Sequence, residues 1–272
     1  MKQLVLQNKK IFYNTCGKGK PVMLVHGFAE DNSIWDYQVE KLQEEFYLIT
    51  PDLPGCGKSE HNEDWSCIED YAAIIKTIAD AEIKGSEKYE GGKNGFTLVG
   101  HSMGGYITLA FAERYPEALN GFGLFHSTAY TDDDAKKQSR RKGIEFIKSN
   151  GAIPFLKTTI PNLFSEKTKK ERPQLVEGLI ELSLDFSAGS LIQYYEAMIQ
   201  RPDRTSVLRS FEQPVFFIMG KNDGAVPLRS TLPQCYLPAV SDICILQHSG
   251  HMGMWEEKEK STIFLRDFLR RL

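Results

Sequence analysis

Phe96-Thr97-Leu98-Val99-Gly100-His101-Ser102-Met103-Gly104-Gly105-Tyr106 decides how the rest of the chain is read. A short apolar run ends at Gly100, and Ile107, Ala110, Phe111 and Arg114 then recur at helical spacing from Met103 onward. One serine stands at the join, with a glycine two residues before it and another two after. That is G-x-S-x-G set between a strand and a helix. A turn this sharp strains the backbone at the serine, and a Cβ at either flank would meet neighbouring atoms, so Gly100 and Gly104 suit it. The hydroxyl is pushed out above the sheet edge. The N–H of Met103 falls at a helix N-terminus, where donors are free and the dipole favours negative charge. A serine in a glycine-rich turn can also be a plain helix N-cap. The strand and helix on either side favour a nucleophile.

Outward from this stretch, apolar runs alternate with helical patterns. Residues 3–15 predict a hairpin turning at Asn8-Lys9, and Val22-Met23-Leu24-Val25 predicts a strand buried on both faces. A loop runs to Trp35, then a helix to about Glu45 and a strand at Tyr47-Leu48-Ile49. Ile68, Tyr71, Ala72, Ile75, Ile78 and Ala79 mark a helix, and Gly85 to Gly95 reads as a polar surface loop. A strand over Phe122–Phe125 ends at His126. From Ser127 to Thr205 no strand pattern occurs; Leu175–Leu182 and Leu191–Ile199 mark helices, the second with Ser190 as its expected N-cap. Strands return at Val215–Gly220 and Ile243–Leu246, and Leu265, Phe268, Leu269 and Leu272 close the chain as an amphipathic helix. The fold class expected is α/β: a mostly parallel central sheet with helices on both faces. Residues 1–126 and 206–272 would form this core, and 127–205 a helical cap inserted into it.

The bulk numbers narrow the function. With 272 residues and 41% hydrophobic content, a sizeable core forms. A formal net charge of −3 gives no reason to expect a nucleic-acid or membrane partner. Five scattered cysteines without C-x-x-C fit free thiols in a reducing compartment. No apolar window reaches spanning length, and the first residues lack the apolar stretch of a signal peptide. A cytoplasmic location is expected.

A serine hydroxyl needs a base within reach, and the base needs an acid to hold its tautomer. In parallel α/β sheets ligands gather at the carboxyl ends of strands, so the partners should come just after strands. His251, in Ser249-Gly250-His251-Met252 after the last strand, is the preferred base over His248. His26 and His101 are expected to serve packing or loop hydrogen bonds, and His61 to be solvated. For the acid, Asp223 lies just past the strand ending at Gly220; Asp132, Asp133 and Asp134 look like the exposed start of a helix. A bland reading of Asp223 as an Asp-Gly turn residue stays open. The oxyanion donors expected are the backbone N–H groups of Phe28 and Met103.

His26-Gly27-Phe28 with Trp35, Asp52-Leu53-Pro54-Gly55-Cys56-Gly57-Lys58-Ser59, Gly100-His101-Ser102-Met103-Gly104-Gly105, Gly220-Lys221-Asn222-Asp223 and Gly250-His251 together resemble the serine α/β-hydrolases that bear a cap, a group holding esterases, lipases and meta-cleavage product hydrolases. The order Ser, Asp, His along the chain agrees with that resemblance. Members that are dehalogenases or epoxide hydrolases carry aspartate where Ser102 stands. The resemblance implies a Ser102–His251–Asp223 triad, an acyl-enzyme intermediate, no cofactor and no metal. The substrate expected is a small, largely apolar acyl compound, cleaved at an ester or a C–C bond; the oligomeric state is open. Two other classes stay open: an acyltransferase or proton-abstracting lyase using the same triad, and a non-catalytic ligand-binding receptor.

Other motifs carry less. Gly57-Lys58-Ser59 imitates the end of a phosphate loop, but Asp52 stands where the first glycine belongs. His248 and His251 lack a third metal ligand at zinc spacing. Cys56 has no base beside it in sequence. Arg140 and Arg141 could recognise a carboxylate or be exposed helix charges, and Lys167–Arg172 reads as a solvated face. Phe155, Phe164, Phe186, Tyr194, Tyr195 and Met198 of the insertion are candidates for either core or pocket.

Overall fold

The computed structural model describes residues 1–83 and 95–272. Most of the expected loop over Gly85–Gly95 lies outside the described residues. The chain opens with a hairpin of β1 (Lys2–Leu6) and β2 (Lys9–Cys16). Its turn is Gln7-Asn8, one residue earlier than expected; both have positive φ, 47° and 63°, which matches the twist of a two-residue hairpin. The chain continues through β3 (Lys20–Val25), α1 (Asp36–Leu42), β4 (Phe46–Pro51), α2 (Ile68–Ile83), β5 (Phe96–His101), α3 (Met103–Arg114) and β6 (Leu119–Phe125). Next comes a run of helices without a strand: α4 (Asp134–Asn150), α5 (Ala152–Thr159), α6 (Glu166–Glu171), α7 (Pro173–Leu182), α8 (Ala188–Gln200) and α9 (Thr205–Ser210). The chain ends with β7 (Val215–Gly220), α10 (Leu228–Thr231), β8 (Ser241–Leu246), α11 (Gly253–Glu256) and α12 (Lys258–Arg271).

The eight strands form one sheet in the order β1-β2-β4-β3-β5-β6-β7-β8. β1 and β2, and β2 and β4, pair antiparallel; every pairing from β4 across to β8 is parallel. β4, β5 and β7 are buried along their whole length, which explains their unbroken apolar runs. Helices cover the sheet in two pairs, α2 on α3 and α1 on α12. Between them lie Trp35, Phe111, Phe122, Phe125, Phe216, Phe217 and Phe268, all fully buried. Each such ring contributes about 1.5–3 kcal/mol by leaving water.

α8 begins earlier than its sequence pattern implied. Its N-cap is Ser187, whose hydroxyl accepts from the N–H of Ser190, so Ser190 is a first-turn residue rather than the cap. α4 packs on α5 and α8, while α9 lies against α3 of the sheet layer. The loops after β3, β5, β6, β7 and β8 all leave the carboxyl ends of parallel strands. Phe28, Ser102, His126, Asp223 and His251 are therefore gathered at one edge of the sheet.

Candidate active site

Ser102 sits between β5 and α3 at φ 51° and ψ −115°. For a residue with a Cβ this is a costly backbone, and it is held from both sides. The Ser102 N–H donates to the Phe125 carbonyl at 2.9 Å, and the Ser127 hydroxyl donates to the Ser102 carbonyl at 2.7 Å. The flanking glycines are required by space. A Cβ on Gly100 would lie 2.1 Å from the Gly104 oxygen, and one on Gly104 would lie 2.5 Å from the Val25 oxygen. Met103 opens α3, where first-turn N–H groups have no acceptor within the helix. Across the cleft, the Phe28 N–H donates to no carbonyl among the described residues.

His251 and Asp223 come together after β8 and β7. His251 Nδ1 lies 2.8 Å from Asp223 Oδ2, and both side chains are buried. The carboxylate can only accept, so Nδ1 carries the proton and Nε2 is left for the cavity that Ser102 also lines. Asp223 Oδ1 accepts from the N–H groups of Ala225 and Val226 at 2.9 and 2.8 Å. Burial alone would push the Asp223 carboxyl up; the facing imidazole of His251 and the hydrogen bond from His126 outweigh it and hold the group well below the usual carboxylate range.

His126 is the residue that sequence reasoning passed over. Its Nδ1 lies 3.0 Å from Asp223 Oδ2, the same oxygen that His251 uses. The Gly253 N–H points at His126 Nε2 at 3.2 Å, so Nε2 accepts and Nδ1–H donates. The Gly220 N–H also lies 3.2 Å from Nδ1, but the opposite tautomer would satisfy it only by losing the other two bonds. Burial, with His251 and His101 nearby, lowers the His126 pKa, in keeping with a neutral ring. The signal was available: His126 comes after β6 as Asp223 comes after β7. His126, Asp223 and His251 place their polar atoms within 4.8 Å of one another, a grouping that could hold a cation. Both Nδ1 atoms, Asp223 and His126 Nε2 are already committed to internal hydrogen bonds, so the set is closed to one.

A second buried acid–imidazole pair lies behind the serine. Glu30 Oε2 accepts from the Gly27 N–H at 2.7 Å and faces His101 Nδ1 at 2.9 Å. His101 Nε2 in turn lies 3.0 Å from the His251 carbonyl oxygen, which can only accept. With acceptors at both nitrogens the ring carries both protons, and Glu30 is its counter-ion. Burial opposes both charges; each partner's field overcomes it, raising the His101 pKa and lowering that of Glu30. The pair links the Phe28 loop, β5 and the His251 loop. His26, as expected, serves its loop, with Nε2 accepting from the Leu53 N–H at 2.9 Å.

Ser102, His251 and Phe28 line one cavity of about 830 Å³ between the sheet edge and the inserted helices. Of the insertion's aromatic candidates only Tyr195 reaches it, with Met198; Phe155, Phe164, Phe186 and Tyr194 are packed into the core. Phe28 stacks on Tyr195 with ring centroids 4.6 Å apart. Three expectations change here. Asp132 is buried, not exposed, and binds Arg140 Nε at 2.6 Å and Arg201 Nη2 at 2.8 Å. Arg140 accordingly lines the cavity. His61 is not simply solvated, since its Nε2 pairs with Gln193 Oε1.

The His251 loop is also tied to the insertion. The His251 N–H donates to Leu163 O at 2.6 Å. Buried Glu256 accepts from the Gly250 and Met252 N–H groups through one oxygen, and from the Ser165 N–H and Thr168 hydroxyl through the other. Within the Lys167–Arg172 face, Arg172 donates to the Glu256 carbonyl at 2.8 Å, so that stretch is partly docked.

Residues 22–260 match the model of a family described as the alpha/beta hydrolase family. The chain belongs to the alpha/beta hydrolase family. Its relatives carry several hydrolytic activities. It is 24% identical to the monoacylglycerol lipase ABHD6 of Bos taurus over 93% of this chain and 77% of the relative. It is 26% identical to the 2-hydroxy-6-oxononadienedioate/2-hydroxy-6-oxononatrienedioate hydrolase of Escherichia coli over 96% of this chain and 91% of the relative. Among solved structures, a thermophilic esterase from Thermogutta terrifontis, described as malate bound, superposes with a TM-score of 0.90. It shares 27% identity, covering 100% of this chain and 99% of that one. The protein is thus a hydrolase of the α/β type. No helix among the described residues is long and apolar enough to cross a membrane.

Proposed function

We propose that this hydrolase cleaves a small ester or related acyl bond through Ser102, His251 and Asp223, by way of an acyl-enzyme. One observation carries the reading: a serine in a strained elbow opens onto the same cavity as an imidazole whose Nδ1 is fixed 2.8 Å from a buried carboxylate. His251 Nε2 takes the Ser102 proton as the oxygen attacks the substrate carbonyl carbon. The N–H groups of Phe28 and Met103 hold the oxyanion, a contribution of roughly 3–4 kcal/mol per donor. Collapse expels the leaving group, which receives the proton from His251. Water, activated by the same nitrogen, then releases the acid and restores Ser102.

The inserted helices act in this reading as a cap, closing the cavity over the elbow and keeping bulk water away from the acyl-enzyme. The test is labelling with a fluorophosphonate and turnover of short p-nitrophenyl esters. Wild-type protein should label once, at Ser102, and Ser102→Ala should lose both labelling and turnover. Folded wild-type protein that resists the probe and turns over no ester would sink the proposal.

A further inference from the structure

The cavity is not uniform. Away from Ser102 its wall carries Lys136, Arg140, Arg201, Asp132 and Tyr106. Three cations there face one carboxylate. Arg201 is spent on the protein: it donates to Met198 O, Tyr130 O and Asp132, and lies 3.8 Å over the Tyr106 ring. Arg140 gives only its Nε to Asp132, and among the described residues its two terminal nitrogens have no hydrogen-bond partner. They are not sealed from the cavity either. Lys136 uses a single donor, on the Ala225 carbonyl at 2.7 Å, and pairs with no acid among the described residues. Lys136 and Arg140 are four apart on α4 and share one face, an arrangement of like charges that Asp132, shared with Arg201, offsets only in part. Tyr106 is buried, and its hydroxyl makes no described hydrogen bond. Although burial disfavours its ionisation, Arg201, Lys136 and Arg140 lower its pKa, which reports the positive potential at that wall. The remaining charges do not cancel the excess. Glu30 is committed to His101, and Asp133 and Arg229, of opposite sign, lie at the exposed rim.

We infer that Lys136, Arg140 and the Tyr106 hydroxyl form a subsite for a carboxylate carried by the substrate. The inference rests on the hydrolase reading above and adds to it the substrate class. Tyr106 stands on the first turns of α3, the helix that follows Ser102, and both residues line the one cavity. The substrate is then a compact molecule with a carboxylate a few bonds from the scissile carbonyl, such as a half-ester of a short dicarboxylic acid. The apolar wall of Phe28, Leu156, Ile160 and Met198 takes the rest.

The experiment compares three p-nitrophenyl or phenyl esters of similar size: a glutarate half-ester (carboxylate on the acyl side), a 4-carboxyphenyl ester (carboxylate on the leaving group) and a neutral valerate. One anionic ester should exceed the neutral one in kcat/KM by roughly tenfold or more, the worth of a charge-assisted hydrogen bond. Which one does so tells which side of the scissile bond the subsite serves. Lys136→Met and Arg140→Gln should each cut that anionic-to-neutral ratio about tenfold, and Arg140→Lys should restore part of it. A wild-type ratio near one for both anionic esters, or a ratio indifferent to these substitutions, overturns the subsite while leaving the hydrolase reading intact. If no ester is turned over, glutarate binding to Ser102→Ala measured by calorimetry still decides. Binding that Lys136→Met weakens about tenfold supports the subsite, and no binding overturns it.

Discussion

His126 donates to Asp223 on the oxygen that also receives the proton of His251, 3.0 Å away. Asp223 therefore spreads its charge over four hydrogen bonds, two from imidazoles and two from backbone N–H groups. Removing the His126 donor leaves more of that charge for His251. The imidazolium of His251 is then stabilised more strongly by the carboxylate. In His126→Gly, which tolerates the positive φ of 50° at this position and offers Asp223 no side-chain donor, the acid limb of the kcat/KM profile should move to higher pH. Activity at neutral pH should fall about tenfold, and stability by about 1–3 kcal/mol, because the Gly253 N–H loses its acceptor. An acid limb that stays put, measured with a neutral ester, would show that His126 only fills space.

Asp223→Asn tests the carboxylate itself. An amide has one oxygen for two sets of donors. Turned to accept from Ala225 and Val226, it presents NH₂ to two imidazole N–H groups; turned the other way, it repels the backbone. His251 then loses the tautomer that frees Nε2, and turnover should drop by roughly 10³–10⁴. The effect on stability has a definite sign. The Asp223 pKa is lowered in the fold, so its contribution is present above the unfolded carboxylate value of about 3.9 and fades as pH falls below it. The difference between wild type and Asp223→Asn in urea unfolding should stay level down to about pH 4 and narrow on further acidification toward pH 2.5. A constant difference would contradict this account.

Much of this arrangement was legible in the chain, because it rests on local signals. The apolar runs ending at Val25, Gly100, Phe125, Gly220 and Leu246 mark the parallel sheet, and two steric glycines with a serine between them mark the elbow. Ser102, His251 and Asp223 each stand just past the end of a strand, where such a sheet collects its chemistry. His126 satisfied the same criterion and was overlooked, since nothing local says that it turns toward Asp223. Asp132, Arg140 and Arg201 were illegible for another reason. Their burial depends on α4 and α8 meeting across some 60 residues of chain, and a charged residue near a helix start is usually solvated. Glu30 was silent because its partner, His101, lies on a different strand end.

Glu30 and His101 make a prediction about alkali. His101 is held charged, so its folded pKa lies above the ordinary value near 6.5. The stability that this gives is complete below that value and is lost as pH rises through the raised one. Glu30→Gln removes the counter-ion, and breaking a buried pair in this way costs about 3–5 kcal/mol. Thermal melts at pH 6 should show the variant far below wild type, with the gap closing as pH rises into the alkaline range. A pH-independent gap would mean that the His101 ring is neutral.

Ser102 stores strain that can be released. A non-glycine residue at φ 51° and ψ −115° costs about 1–3 kcal/mol. Ser102→Ala keeps the Cβ and keeps that cost; Ser102→Gly removes it, against about 0.5–1 kcal/mol of added chain entropy. Both variants should be inactive, with the glycine variant melting a few degrees above the alanine variant. Equal melting temperatures would place the elbow's strain elsewhere.

The seam between Glu256, Leu163 and Ser165 has a bearing on how material enters and leaves. Four donors converge on one buried carboxylate there, and the His251 amide is fastened to Leu163 alongside them. Were the roof to lift at that flank, it would pull on the His251 loop. The opposite eave is more lightly fastened: there Lys136 of α4 reaches the Ala225 carbonyl and Phe28 stacks on Tyr195, so reactants can pass on that side without dismantling the machinery that awaits them.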